Sequence, residues 1–232
     1  MNRFVLDSSS IISLSDTCLF GLLNGLMKKK GIEFFIPKSV ERESVERPLN
    51  IKKFELNALR IKQGIDSGVL QVFDKETELR DETLHLEHVF NSVFHSKGKD
   101  VTIMHRGEVE SIVLLRKLNS KILVIDERIT RLLLEDPFQL RNVLQRRQRR
   151  RIDIKPEMIS EIRELISKFS IVRSSELVAL AYENGLLNIG ISSSVQSLEA
   201  ALYAVKFNGC AISNVEILRY LREVRKRDFG KS

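Results

Sequence analysis

The chain has 232 residues, 43% of them hydrophobic and 6% aromatic with no Trp. That allows one large domain, or one of about 150 residues with a smaller partner, around an aliphatic core. No run approaches the ~18 apolar residues of a membrane span, no basic-then-apolar leader opens the chain, and the isolated Cys18 and Cys210 argue against a disulfide framework or zinc module, so a cytoplasmic protein without membrane contact is expected.

In chain order, residues 3–6 read as a buried strand, and Ser9 or Ser10 as the cap of a helix from Ile11 to about Lys30, with Gly25 its weak point. Glu33 to Ile36 is a second strand, stopped by Pro37, which can open a helix reaching Arg47. A helix over Ile51 to Gly64 and a strand over Val69 to Phe73 follow. Residues 76–95 read as one helix with Leu84, Val89, Phe90, Val93 and Phe94 on its apolar face, and residues 97–100 as a loop. Glu108 to Lys117 is helical. Ile122 to Ile125 is an unbroken apolar run, as in a strand buried on both faces, and Glu127 to Glu135 is a helix ended near Pro137. Strands alternating with helices predict a parallel sheet with right-handed crossovers. Beyond the arginine-rich residues 141–151, helices are expected over 156–169, 174–186, 194–207 and from a Ser213 cap to about Arg227.

Four acids stand where a parallel sheet has its crevice. Asp7 and Asp126 end strands, Glu43 lies just past another strand end, and Glu108 opens a helix. Ionised carboxylates gathered at one rim repel, so a cation between them is expected. The Asp7-Ser8-Ser9 opening, the segment Pro37 to Glu43, the Gly107-Glu108 pair and Ile125-Asp-Glu-Arg128, in that order over roughly residues 1–136, resemble the PIN-domain nucleases. Val124 stands where many members carry Thr or Ser, Glu108 where Asp is frequent, and the strand that usually follows the last acid is not evident.

The resemblance implies an α/β, three-layer PIN-like fold with a parallel central sheet over residues 1–140, followed by an arginine-rich segment, 141–151, and a mostly helical C-terminal region, 152–232. It implies metal-dependent hydrolysis of RNA phosphodiesters by Asp7, Glu43, Glu108 and Asp126. Asp7, Glu108 and Asp126 would be ligands of Mg2+ or Mn2+, directly or through water, and Glu43 would orient water. Ser9 would hold a water or phosphate oxygen. Glu110 and Glu127 are reserve acids, read otherwise as solvated helix residues. PIN-like domains commonly self-associate, which leaves a homo-oligomer open.

Six arginines, Arg141, Arg146, Arg147, Arg149, Arg150 and Arg151, account for all but one unit of the formal charge of +7. So dense a run favours a polyanion, here RNA, single-stranded RNA included. Arg128 and Arg131 sit beside the last acid, where phosphate contact and surface ion pairing are equally open. His85 and His88 read as a surface pair rather than metal ligands. Two other readings stand beside the nuclease: a non-catalytic PIN-like adaptor that binds RNA through the arginines, and a toxin-type PIN ribonuclease held by an antitoxin.

Overall fold

The computed structural model describes residues 2–187 and 194–229. Strand β1 (Asn2–Leu6) leads into α1 (Ser8–Asp16) and α2 (Gly21–Lys30), then β2 (Ile32–Pro37). The one helix expected over 11–30 is therefore two. The break falls at Cys18, which adopts φ 58°, and not at Gly25. Gly25 instead packs closely under Leu186, whose Cδ2 would stand 3.2 Å from a Cβ at that position.

After β2 comes a single turn, α3 (Lys38–Glu41), which widens into a π-helical turn over Arg42–Glu46 and a 3-10 turn over Pro48–Asn50. Helix α4 (Glu55–Asp66) and β3 (Leu70–Phe73) follow. Helix α5 covers only Arg80–Asn91 of the helix expected over 76–95. Phe94 turns instead into a hairpin, β4 (Phe94–Ser96) and β5 (Lys99–Asp100), whose turn holds Lys97 and Gly98 at positive φ. Helix α6 (Arg106–Lys117), β6 (Ile122–Val124) and α7 (Arg128–Glu135) carry the chain to Pro137. There Asp136 accepts a hydrogen bond from Gln139 N and caps α8 (Pro137–Gln148), so most of the arginine tract is helical. Arg149, left-handed at φ 50°, ends that helix.

Strand β7 (Asp153–Ile154) pairs with β4 to complete a small antiparallel sheet. Helix α9 (Pro156–Ile166) stops short of residue 169 because β8 (Ser170–Val172) begins there. Helices α10 (Ser174–Glu183), α11 (Val195–Phe207) and α12 (Asn214–Phe229) finish the chain.

The central sheet runs β3-β2-β1-β6-β8, every pair parallel, with Phe4 opposite Phe34 and Ile122, and Leu123 opposite Ile171. Its fifth strand is the one not evident in the sequence, and it comes from residues otherwise mostly helical. Alternation along β1 and β6 divides the core in two. Leu6 and Val124 face α1, α2 and α10–α12, packing with Leu14, Leu23, Val178, Leu202 and Ile217. Val5 and Leu123 face α5–α9, packing with Phe90, Ile112, Leu133, Leu140 and Ile159. The result is an α/β three-layer fold with helices on both faces of a parallel sheet. No single helix among the described residues is long and apolar enough to cross a membrane.

Candidate active site

Asp7 and Asp126 leave the C-terminal ends of the adjacent strands β1 and β6, tied by Asp7 N donating to Val124 O at 2.9 Å. The Ser10 hydroxyl donates toward both Asp7 O and Val124 O, so backbone and Ser10 together fix this end of the sheet. Asp7 caps α1: its Oδ2 accepts from Ser9 N at 3.1 Å and from Ser9 Oγ at 2.8 Å. Its Oδ1 is buried and receives no hydrogen bond from the protein. Burial pushes the Asp7 carboxyl up to about 6 against the Ser9 hydrogen bonds, and the charge of Glu43 adds to the rise.

Glu108 lies in the first turn of α6, where Oε2 accepts from His105 N at 2.7 Å and Oε1 from the Thr130 hydroxyl. Burial, then the charge of Asp7, pushes it up to about 7. Glu43 reaches the same place from the π-helical turn. Its carboxylate packs close against Gly107, where a Cβ would lie 3.0 Å from Glu43 Oε1. Glu108 and Glu43 thus each set a carboxylate against Asp7 at one rim, and the three come from different elements.

Asp126 is held differently. Its Oδ1 accepts from Ser174 N at 2.8 Å and its Oδ2 from Ser174 Oγ at 2.6 Å. Burial raises its pKa and the Ser174 bonds oppose the rise. Among the described residues no three His, Cys, Asp or Glu side chains are arranged to hold a metal ion, so neither Asp126 nor Glu43 completes a ready-made site with Asp7 and Glu108. Ser9 spends its hydroxyl inside the protein: it donates to Asp7 Oδ2 and accepts from Asp126 N at 3.1 Å, so it links the two strand ends rather than presenting itself to a phosphate.

Glu110 is not the solvated residue expected. It is 2% exposed, and Arg106 Nε donates to its Oε1 at 2.7 Å. Glu127 caps α7, accepting from Thr130 N at 2.6 Å. His85 pairs with Glu161 at the surface, and His88 faces Ser92. Arg131 is committed to both oxygens of Glu135 at 3.0 Å, which favours its ion-pairing reading. Arg128 is exposed with no ion pair among the described residues, and with Arg131, Gln139 and Arg173 it lines a cavity of about 190 Å³. Of the tract, Arg146, Arg147 and Arg149 are exposed and likewise unpaired, whereas Arg150 donates to Gln148 and Arg151 pairs with Asp153. Arg141 is part-buried, and its Nη2 reaches Asn142 at 3.4 Å.

Thr130 and Ser174 are the contacts the sequence did not reveal. Thr130 stands three residues after the helix-capping Glu127, a local pattern that could have drawn notice. Ser174 lies 48 residues from Asp126, and no local pattern joins the two.

The residues fit a hard divalent cation: every donor is oxygen, the half-buried Glu108 sets its charge against the buried Asp7, and Asp7 Oδ1 lacks a partner. Asp7 and Glu108 would hold such an ion, with Glu43 beside them; Mg2+ commonly binds through one or two carboxylates and keeps several waters. No curated protein and no solved structure matches the chain significantly. A family model described as DUF3368, PIN domain, matches residues 3–136, more than half of the chain and all four acids. The chain belongs to the PIN-domain family, a nuclease-type domain.

Proposed function

We propose that the protein is a Mg2+- or Mn2+-dependent endoribonuclease of the cytoplasm. One observation carries the reading: Asp7 Oδ1 is buried without a donor while Glu108 and Glu43 crowd the same carboxylate with negative charge. Capping α1 requires only Oδ2, so packing alone does not explain the arrangement. A divalent ion supplies an activated water and offsets charge on the phosphorane and leaving oxygen.

The chain's own residues do the rest. Asp7 and Glu108 hold the cation, and Ser9 keeps Asp7 in one rotamer. Glu43, the least constrained of the three, accepts a hydrogen bond from the attacking water and orients it. Arg128 meets a phosphate near the scissile bond. The exposed arginines of α8 and the residues after it hold the strand by its backbone, independent of base sequence. The test is cleavage of mixed RNAs with and without chelator. Cleavage that needs Mg2+ or Mn2+ and disappears in Asp7→Asn supports the reading, whereas wild-type-like cleavage by Asp7→Asn rejects it.

A second reading has an observation of its own. Both oxygens of Asp126 are engaged by Ser174, and Asp7, Glu108 and Glu127 each cap a helix. A PIN-like adaptor that binds RNA without cutting it would need no more. It predicts salt-sensitive RNA binding that a chelator does not change, with no cleavage.

A further inference from the structure

We propose that Ser174, in the C-terminal third of the chain, is a positioning residue for Asp126: it fixes the plane of that carboxylate at the strand end next to Asp7, from where it supports the cation site of Asp7 and Glu108. The inference rests on the metal-dependent reading above. Ser174 lies beyond residues 3–136, where the family match ends, at the junction of β8 and α10. It is wholly buried, and it gives both of its donors to one carboxylate, the amide to Oδ1 and the hydroxyl to Oδ2.

A helix cap requires less. The amide at the start of α10 needs one acceptor, and the same helix end is already organised by Glu176 Oε2, which accepts from Arg173 N at 2.7 Å. The second bond, from the hydroxyl to the other oxygen, fixes the plane of the Asp126 carboxylate rather than the helix. The backbone of Asp126 is tied in turn to Asp7 through Ser9, so Ser174, Asp126, Ser9 and Asp7 form one hydrogen-bonded series across the ends of β8, β6 and β1. Cys210 also lies against Asp126, and burial, then that carboxylate's charge, pushes its thiol up to about 11, so it stays a neutral S–H neighbour. Hydrogen bonds to ligating carboxylates set their orientation, and losing such a partner typically weakens metal affinity by about 10–100-fold.

The experiment measures Mn2+ affinity of the full-length chain, by electron paramagnetic resonance of free Mn2+, for wild type, Asp7→Asn, Ser174→Ala and Ser174→Thr, with a thermal melt of each. The expected result is tight binding in wild type, lost in Asp7→Asn, and weakened about tenfold or more in Ser174→Ala without loss of cooperative unfolding. Ser174→Thr, which keeps both donors, restores it. Should Ser174→Ala not fold, the near-isosteric Ser174→Cys, a weak donor, takes its place. Unchanged or tighter binding by the folded variant, with Asp7→Asn still defective, overturns the role of Ser174 and leaves the metal site standing. Binding equal in wild type and Asp7→Asn overturns the metal reading itself, and the proposal with it.

Discussion

The behaviour of Asp7 decides between a cap and a cation site. Burial and neighbouring charge raise Asp7 to about 6 and Glu108 to about 7. The folded protein therefore keeps their protons over a range where the unfolded chain has already released them. Their contribution to stability is fully present below about pH 4 and is lost as pH rises through 6 to 7. Metal-free protein should melt at a lower temperature at pH 8 than at pH 5. Asn at position 7 keeps an acceptor for Ser9 N and removes the repulsion, so Asp7→Asn should be more stable than wild type at pH 8, by on the order of 1 to 3 kcal/mol. Thermal melts of both proteins in chelator, at the two pH values, check this. A destabilised Asp7→Asn at pH 8 would mean that capping outweighs charge, and the residue would be structural.

Elements place the acids, and they differ in how plainly the sequence announced them. Strands β1, β2, β3 and β6 were legible because short apolar runs end in Asp, Pro or Gly-flanked turns. The α5 region misled because Leu84, Val89, Phe90, Val93 and Phe94 fit one helical face, yet Phe94 is buried just as well from a strand. Strand β8 has three residues and pairs with a strand more than forty positions earlier, so nothing local marks it. Ser174 was missed for the same reason, since hydrogen bonds between distant residues leave no periodicity. The π-helical turn carrying Glu43 was also invisible, although Gly107, against which the Glu43 carboxylate packs, was noted as half of a motif. Replacing Gly107 with Ala brings a Cβ to 3.0 Å from Glu43 Oε1 and displaces that carboxylate. RNA cleavage should fall roughly 10- to 100-fold while the melting temperature stays within a few degrees. Unaltered cleavage kinetics would remove Glu43 from the mechanism.

At the scale of the molecule, the family-matched segment shares its core with the C-terminal third of the chain. A chain ending at residue 136 lacks β8, which covers the edge of β6, and α10–α12, which bury one face of the sheet through Val178, Leu202 and Ile217. It should show no cooperative thermal transition, and a sharp one would make the C-terminal third an addition rather than part of the fold. The arginine tract works at this scale too. Exchanging Arg146, Arg147, Arg149 and Arg150 for Ala should reduce the slope of log affinity against log salt for single-stranded RNA by about 3, because each lost phosphate contact removes about 0.7. An unchanged slope would put the RNA elsewhere.

Whether Asp7 and Glu108, carboxylates from separate elements, hold a cation between them can be read from anomalous diffraction of crystals soaked in Mn2+. A bound ion should give a peak at coordination distance from Asp7 Oδ1 and a Glu108 oxygen. Crystals that take up Mn2+ elsewhere, with no peak between these two side chains, would contradict that site.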